Sequence, residues 1–199
     1  METADTLLHY WFGASADDAE AIREKSALWW KKSPQVDEEI RRRFEMMLDA
    51  EVKNELVSWG KRPRGQLARI LLCDQFPRNM YRNMPQAFAY DERARRLARE
   101  ALDQGMDKKL RLVERVFMYL PFEHSEDTED QATSVRFYTA LHEEAPEAAK
   151  PTYRNYLDYA LKHKEIIDRF GRFPHRNAIF GRDPTPEELK FLKGPGSSF

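Results

Sequence analysis

The sequence predicts an all-α protein made of stacked antiparallel helical hairpins. Along most of the 199 residues, apolar side chains recur every three or four positions, which is the spacing of a helix with one buried face. The connections between these segments are short, and short connections favour antiparallel neighbours. No run of alternating polar and apolar residues indicates a β-sheet, and no low-complexity linker divides the chain. One helical domain over residues 1–199 is therefore expected.

The apolar spacing predicts three hairpins. They pair residues 36–58 with 66–76, 91–104 with 107–120, and 128–143 with 151–169. We expect Asp37 to cap the first helix of this series. Pro77 and Pro121 are expected to end the second helices of the first two hairpins, because proline lacks the N–H that a helix interior needs. Thr128 and Gln131 have the spacing of a capping box that opens the third hairpin.

Shorter helices are expected at both ends of the chain. Residues 6–12 and 18–30 are predicted to be helical. Thr185 is predicted to open the last helix, because it is followed by proline and then by glutamate at the spacing of a capping box. The tail, residues 194–199, is expected to be flexible unless the side chain of Phe199 docks it.

The composition limits the classes of function. Hydrophobic residues make up 41% of the chain and charged residues 34%, so a sizeable core can form beneath a densely charged surface. The formal net charge of -1 gives no strong global field, which argues against nucleic acid and membrane surfaces as partners. The single cysteine, Cys73, lies in an apolar run, so it is interpreted as a small buried hydrophobe. Because no cationic leader and no apolar run of ~20 residues occurs, a cytoplasmic protein is expected.

Three polar turns follow the second helices of the predicted hairpins. Their sequences are Asp-Gln-Phe-Pro-Arg-Asn at 74–79, Glu-His-Ser-Glu-Asp at 123–127 and Arg-Phe-Pro-His-Arg-Asn at 172–177. In stacked hairpins the second helices point in one direction, so their ends lie along one edge of the array. The sequence therefore predicts that the three turns converge.

Three residues of these turns are candidates for acid–base catalysis. Asp74 continues the apolar stripe of its helix, so its carboxylate is expected to point inward, either with a tuned pKa or paired for structure. His124 lies among carboxylates, which suits a general base but also a loop that caps the next helix. His175 precedes Arg176 and Asn177, which could bind an anion or tie down backbone carbonyls. The residue pattern leaves each of these alternatives open.

Further polar residues of the turns are candidates for ligand binding. Arginine offers a fork of donors that suits carboxylates and phosphates. The candidates are Arg78, Asn79, Glu123, Asp127, Arg172, Arg176 and Asn177. No metal or other cofactor is predicted, because the chain has no His-Glu-x-x-His pattern, no cysteine pair and no glycine-rich phosphate loop. His163 falls on an apolar stripe and is expected to be a core histidine.

Several segments resemble a known family. The runs at 8–13, 74–79, 123–127, 169–177 and 195–199 are similar to those of the bacterial domain of unknown function 924 family. The similarity extends over essentially the whole chain. That family is placed with the tetratricopeptide-like α-α superhelix proteins, so the resemblance implies this fold. It implies no activity, because the family has none established.

Three functions are compatible with these features. The first is a binding protein that takes a peptide, a protein or a small anionic ligand at the polar edge formed by the turns. The second is a small cytosolic hydrolase or lyase that uses Asp74, His124 and His175 in acid–base roles. Arg78 and Arg176 would hold its anionic substrate. The third is structural, with the turns acting as polar locks between hairpins. Exposed faces at the ends of the array could also support a homodimer.

Overall fold

A computed structural model describes residues 2–197, and these residues contain no β-strand. The all-α prediction is confirmed. The helices are α1 (Ala4–Phe12), α2 (Asp18–Trp30), α3 (Pro34–Val52), α4 (Pro63–Cys73), α5 (Gln75–Met80), α6 (Asp91–Asp103), α7 (Leu112–Glu123), α8 (Thr128–Glu144), α9 (Lys150–Phe170), α10 (Asn177–Phe180) and α11 (Pro186–Leu192). Short 3-10 segments lie at Val57–Lys61, Pro85–Phe88, Asp107–Lys109 and Pro174–Arg176.

The helices predicted to form hairpins are neighbours in the fold. Helix α3 packs against α4 and α5, α6 packs against α7, and α8 packs against α9. Successive hairpins also touch, through α4 with α6 and through α7 with α8. The two N-terminal helices cover the centre, because α1 packs on α4 and α2 packs on α7. Helices α4 and α7 therefore lie in the middle of the molecule.

Helix α7 is buried on all sides. Each of its residues from 113 to 123 is buried, whereas a surface helix has one apolar face and one polar face. The ring of Phe117, on α7, packs edge-to-face against the ring of Trp11, with centroids 5.6 Å apart. Consequently Glu123, the last residue of α7, ends inside the protein, and the polar turn that follows begins there.

The start of α3 differs from the prediction. The Ser33 side chain accepts a hydrogen bond from the Val36 N–H at 3.4 Å, so the helix begins at Pro34. The prediction that Asp37 caps this helix is wrong. Asp37 lies in the first turn, and its carboxylate accepts hydrogen bonds from Arg82 instead.

The end of α4 also differs from the prediction. The helix ends at Cys73, the chain turns at Asp74, and Pro77 lies inside the short helix α5. Proline is tolerated there because the first turn of a helix has no use for its N–H groups. The prediction that Pro77 ends the helix is wrong, and the turn instead places Asp74 at the junction of two helices.

Helix α7 runs through its proline. Pro121 lies within the last turn, and the helix continues to Glu123. A proline near a helix end removes one backbone hydrogen bond, which the tight packing around α7 can offset. The prediction that Pro121 ends the helix is wrong, and the extra residues carry the second polar turn deeper into the protein.

The cap of α8 is Asp127. Its carboxylate accepts hydrogen bonds from the N–H groups of Glu129 and Asp130 at 2.8 and 3.0 Å. The predicted capping box of Thr128 and Gln131 is wrong. The Gln131 amide points the other way and donates to backbone oxygens at the end of α7, including that of Glu123 at 2.7 Å.

The ends of the chain agree in part with expectation. The capping box at Thr185 is confirmed, with Glu188 as its other member. Phe199 lies outside the described residues, so its docking stays a prediction. No helix of residues 2–197 has both the length and the apolar character that crossing a membrane requires.

Candidate functional site

Hydrogen bonds join the three polar turns at one place. His124 of the second turn contacts Asp74 of the first, with Nδ1 and Oδ1 2.8 Å apart. Arg176 of the third turn donates from Nη1 to the backbone oxygen of His124 at 2.9 Å. The backbone N–H of Phe173, also in the third turn, donates to Glu126 Oε1 in the second at 2.8 Å. The predicted convergence of the turns is confirmed.

Asp74 lies at the junction of α4 and α5 and is fully buried. Its Oδ2 accepts a hydrogen bond from Gln75 Nε2 at 2.6 Å, and its Oδ1 lies 3.3 Å from Arg78 Nη1. Burial raises the pKa of this carboxyl, but the charge of Arg78, followed by the contact with His124, outweighs burial and holds the pKa well below its usual value. Asp74 is therefore an ionised carboxylate at neutral pH, and it can only accept hydrogen bonds.

The ionised Asp74 decides which nitrogen of His124 carries a proton. Because the carboxylate only accepts, Nδ1 of His124 is the donor and bears the hydrogen. Burial and the nearby charge of Arg78 lower the pKa of His124, so its ring is neutral at pH 7. Nε2 then keeps its lone pair. The side chain is 14% exposed and lines a cavity, so this basic nitrogen is accessible to a small ligand.

Arg78 is neutralised from two sides. Its Nη1 and Nη2 donate to the two carboxylate oxygens of Asp91, the first residue of α6, at 2.9 and 3.0 Å. Nη1 also donates to the backbone oxygen of Asp74 at 2.6 Å. Burial lowers the pKa of Arg78, but Asp74 and Asp91 outweigh burial and raise it above its usual value. Arg78 thus ties α5 to α6 while it faces the cavity.

Arg176 is buried without comparable pairing. It is 5% exposed, and its Nε has no hydrogen-bond partner among residues 2–197. Its Nη1 lies 4.0 Å from Asp91, and its guanidinium lies over the rings of Phe88 and Phe173, 4.8 and 4.4 Å from their centroids. Burial, and then the charge of Arg78, lower the pKa of Arg176 to about 10. Since a buried charge is costly without a close counter-ion, this position favours an anionic ligand.

Glu123 and His163 form a neutral pair. Glu123 is 4% exposed, and its Oε1 lies 3.2 Å from His163 Nδ1. Burial, and then the charge of Asp74, raise the pKa of Glu123 to about 8, whereas burial lowers the pKa of His163 to about 3. At neutral pH the carboxyl is therefore protonated and the imidazole uncharged, so the 3.2 Å contact is not an ion pair. This side of the site adds no negative charge.

These groups line a cavity of about 710 Å³. That volume falls in the range of small-molecule sites. Glu123 and Arg176 are buried members of the lining, whereas Lys31, Lys32 and Tyr159 are exposed members. The exposed residues mark the mouth, and the buried polar groups form the floor.

The lining of the cavity is positively charged. Its cationic residues are Lys31, Lys32, Arg78, Arg82 and Arg176, and among the described lining residues its only acid is Glu123. Asp37 neutralises Arg82 through two hydrogen bonds of 2.7 Å. The two lysines form no ion pair with any described residue, so they add a positive field at the mouth.

Two predicted residues line the cavity without contacting Asp74. Asn79 donates from Nδ2 to Asp37 Oδ1 at 2.9 Å. His175 also lines the cavity; burial, and then the charge of Arg176, lower its pKa to about 4. Both are therefore neutral groups of the wall at pH 7.

Three predicted ligand-binding residues lie outside the cavity lining. Asp127 is exposed and caps α8. Arg172 donates from Nε to Glu188 Oε1 at 2.6 Å. Asn177 is 2% exposed and begins α10. The side chains of Asp127 and Arg172 bind other parts of the turns, and none of the three residues lines the cavity.

Several lining residues were not predicted to belong to a site. His163 is buried, as its spacing predicts, yet it also lines the cavity. Trp30 is 46% exposed beside the buried Trp29 and lines the mouth together with Tyr156 and Phe88. Consecutive residues of a helix point about 100° apart, so the side chains of Trp29 and Trp30 leave α2 in different directions and one of them can reach the surface. The adjacent pair was therefore the sequence signal that could have indicated an exposed Trp30. No comparable sequence signal marks Phe88 or Tyr156 as a lining residue.

Metal ligation has no geometric support in this region. Within residues 2–197, no group of three or more histidine, cysteine, aspartate or glutamate side chains is arranged to hold a metal ion.

Comparison with known families gives one match over almost the whole chain. The model of the family described as "Bacterial protein of unknown function (DUF924)" matches residues 7–196. The chain belongs to this family. The resemblance in the polar turns thus extends to a match of the entire helical array, and it carries no established activity.

A solved structure of another protein of unknown function is similar to this chain. It comes from Agrobacterium tumefaciens, shares 35% sequence identity and superposes with a TM-score of 0.81. The match covers 96% of this chain and 97% of that one. No curated protein matches the chain. The shared architecture supports the all-α fold.

Proposed function

We propose that this DUF924 protein binds a small molecule that carries an anionic group and an apolar, preferably aromatic, group. One observation carries the proposal: Arg176 is a buried cation on the cavity floor whose Nε has no hydrogen-bond partner in residues 2–197. Its nearest ion-pair contact, to Asp91, is 4.0 Å long. An anion beside Arg176 supplies the counter-charge that burial demands.

The electrostatics of the lining support the same ligand. The carboxyl of Glu123 is protonated at neutral pH, because burial raises its pKa to about 8, and it does not repel an anion. His124, His163 and His175 all have pKa values lowered chiefly by burial, so they are neutral. Arg176 is therefore the buried positive charge that an entering anion meets at the floor.

An aromatic wall supports an apolar group on the ligand. Trp30 stacks on Phe117, with ring planes 9° apart and centroids 5.6 Å apart, and its outer face is exposed. Tyr156 lies 6.0 Å from Trp30 between centroids. Flat aromatic surfaces at a pocket mouth bind apolar rings by dispersion and by water release.

A small ligand fits better than a peptide. Helices α1 and α2 cover the middle of the helical array, and Trp29 and Trp30 of α2 form part of the cavity wall. An open groove for an extended peptide or a partner helix is therefore replaced by a cavity of about 710 Å³. We place the ligand in the cytosol, as the sequence predicts; a homodimer stays a separate prediction.

Phenylphosphonate tests the proposal, because it joins a phosphoryl anion to an aromatic ring and resists hydrolysis. We expect it to bind the full-length protein in isothermal titration calorimetry and to raise the melting temperature. Arg176→Met is expected to weaken the affinity at least about tenfold, since a hydrogen bond to a charged group contributes about 1.5–3 kcal/mol.

Arg172→Met is the matched control. Arg172 carries the same charge in the same turn, but it is bound to Glu188 and does not line the cavity. Its replacement should leave phenylphosphonate affinity within about twofold of wild type, as for surface changes away from a site. Equal binding by wild type and Arg176→Met, or no binding by wild type, would contradict the proposal.

The enzyme alternative is favoured by a separate observation. The hydrogen bond of 2.8 Å between Asp74 and His124 fixes the tautomer that leaves a basic nitrogen in the cavity. An imidazole that is held in one tautomer and lines a cavity is suited to general-base catalysis.

A further inference from the structure

We infer that the cavity is an acid–base active site for the hydrolysis of small phosphomonoesters, with His124 as general base and Glu123 as general acid. This activity rests on the proposed function, because it requires the anionic group to lie against Arg176. It adds a reaction, a substrate class and a role for each of two adjacent residues at the end of α7.

The base is oriented by a buried carboxylate. Asp74 Oδ1 holds Nδ1 of His124 at 2.8 Å, and Asp74 is itself held by Gln75 and Arg78. Nε2, the other ring nitrogen, has no hydrogen-bond partner among the described residues. A carboxylate–imidazole pair of this kind keeps the imidazole in one tautomer and stabilises the imidazolium that forms when Nε2 takes a proton.

The anion site lies beside that base. Arg176 Nη1 donates to the backbone oxygen of His124 at 2.9 Å, so the guanidinium and the imidazole belong to one corner of the cavity. An anion that contacts Arg176 therefore lies in the same part of the cavity as His124. The mechanism requires a water molecule between Nε2 and the electrophilic atom of that anion.

The acid lines the same cavity. The carboxyl of Glu123 contacts His163 at 3.2 Å, and the rings of His163 and His124 are 6.3 Å apart between centroids. The acid and the base are thus both neighbours of His163, and all three residues line the cavity in which the proposal places the phosphoryl group. Burial raises the pKa of Glu123 to about 8 and lowers that of His124, so each group holds the protonation state its role needs at pH 7.

The charge of the cavity favours a phosphoryl group over a monoanion. Arg176, Lys31 and Lys32 lack the close carboxylate that Arg78 and Arg82 have. A dianion matches this surplus of positive charge better than a single carboxylate does, and the planar guanidinium of Arg176 can donate to two phosphoryl oxygens. The aromatic wall at the mouth suits an aryl or alkyl ester group.

The reaction balances without a further reagent. A water molecule gives a proton to Nε2 of His124 while its oxygen forms a bond to phosphorus. The bond between phosphorus and the ester oxygen breaks, and the carboxyl of Glu123 gives its proton to that oxygen, which leaves as an alcohol. The products are the alcohol and inorganic phosphate. Proton transfer from the His124 imidazolium to the Glu123 carboxylate, through water, restores the starting state.

The groups that face the base and the acid define the expected pH profile. His124 is faced by Asp74, Arg78, Asp91, His163, His175 and Arg176, and Glu123 is faced by Asp74, Tyr138 and His163. The value of kcat/KM should rise with pH as His124 loses its proton, at a pKa below 6.5, and should fall as Glu123 loses its own near pH 8. The curve is therefore bell-shaped.

Phenyl phosphate tests the activity, and p-nitrophenyl phosphate tests the role of the acid. Release of phenol by the full-length protein should fall at least about 100-fold in His124→Gln and in His124→Asn, which is the usual loss for a general base. Glu123→Gln should lose as much with phenyl phosphate but less than about tenfold with p-nitrophenyl phosphate, because nitrophenolate leaves without a proton. It should also lose the alkaline limb of the pH profile.

Asp74 is a positioning residue, so its test measures the pH dependence of kcat/KM as well as the rate. In Asp74→Asn the acidic limb should move, because the group that holds Nδ1 has lost its charge. His9→Gln is the control for a general effect of histidine replacement, since His9 is exposed and lies on another face. It should leave the rate within about twofold, as for surface changes.

The outcomes separate this activity from the proposed function. If phenylphosphonate binds in a manner that depends on Arg176 and phenyl phosphate is not hydrolysed faster than by His124→Gln, the acid–base inference is overturned and the binding function stands. If phenylphosphonate does not bind, both fail. If one of the two His124 variants melts below the assay temperature, the other is used in the comparison, because both remove the imidazole.

Discussion

Two arginines of this protein are equally buried and differently surrounded. Arg69 is 6% exposed and Arg176 is 5% exposed. Each guanidinium nitrogen of Arg69 donates a hydrogen bond: Nε and Nη2 to Glu51 at 2.8 and 3.0 Å, and Nη1 to Gln66 at 3.0 Å. Arg176 donates to a backbone oxygen and lies no closer than 4.0 Å to a carboxylate among the described residues.

The space around the two arginines differs in the same way. A methyl group added at Gly60 would lie 2.6 Å from Arg69 Nη1, so no room is left there. Arg93 completes the network with a third hydrogen bond to the Glu51 carboxylate, at 2.9 Å. Beside Arg176 lies a cavity of about 710 Å³. A buried charge that is fully paired contributes to structure, whereas one that is left short of partners at a cavity is suited to a ligand.

Removal of Arg69 should have the largest effect on stability. Arg69→Met leaves the fully buried carboxylate of Glu51 with one partner instead of two, and breaking such a pair costs about 3–5 kcal/mol. Urea denaturation should show this loss in the free energy of unfolding. Arg176→Met is the matched control and should change it by less than about 1 kcal/mol, in either direction, because little pairing is lost. Equal losses of unfolding free energy in the two variants would show that Arg69 and Arg176 are equally well paired.

Asp74→Asn should have the next largest effect. The change removes the charge that faces Arg78 and His124, and Asp91 still pairs with Arg78. A loss of about 2–3 kcal/mol is expected, near the upper value for a hydrogen bond to a charged group. The ¹⁵N chemical shifts of the His124 ring should also show a shift away from the Nδ1–H tautomer. An unchanged tautomer would argue that Asp74 does not orient the ring.

Glu123→Gln should change how stability depends on pH. The folded state raises the pKa of Glu123 from 4.5 to about 8, so it holds the proton more tightly than the unfolded chain does. Wild type therefore loses stability as the pH rises through this window, by an amount on the order of a few kcal/mol. Glutamine has no proton to lose in this range. The free energy of unfolding of the variant, minus that of wild type, should therefore increase from pH 4.5 to pH 8. Denaturation curves at several pH values test this; a difference that does not change with pH would show that folding does not raise the pKa of Glu123.

Asp127→Ala should have the smallest effect. Asp127 caps α8 from an exposed position, and loss of such a cap costs about 1 kcal/mol. Phenylphosphonate affinity should not change, because Asp127 does not line the cavity. Thermal melting and calorimetry of the one variant give both values. Loss of phenylphosphonate binding without loss of stability would show that Asp127 belongs to the ligand site.

The sequence predicted a good part of the site for physical reasons. Asp74 lies on a buried stripe, so helical periodicity alone placed its carboxylate in the interior. Hairpin stacking then brought His124 and Arg176 to the same edge. By contrast, Arg172 and Asp127 share the composition of these residues, but their side chains turn to Glu188 and to the start of α8. Side-chain direction within a turn depends on neighbours that are distant in sequence.

Helix limits were less predictable than helix positions. Pro77 and Pro121 are strong local signals, yet both lie within helices, because the surrounding core holds the chain in place. His163 had the spacing of a core residue and is one, but a core position can also border a cavity. No single-sequence pattern distinguishes a packed wall from a lining.

The sequence by itself determined the helices, their pairing and the meeting of the three polar turns, because apolar periodicity and short connections are local properties of the chain. The tertiary structure alone decided which charges are satisfied. Arg69 and Arg176 are both arginines in or beside a helix, and only the positions of Glu51, Asp91 and the cavity make one a closed pair and the other open to an anion. Desolvation and pairing depend on groups brought together from across the chain, so they are properties of the folded protein.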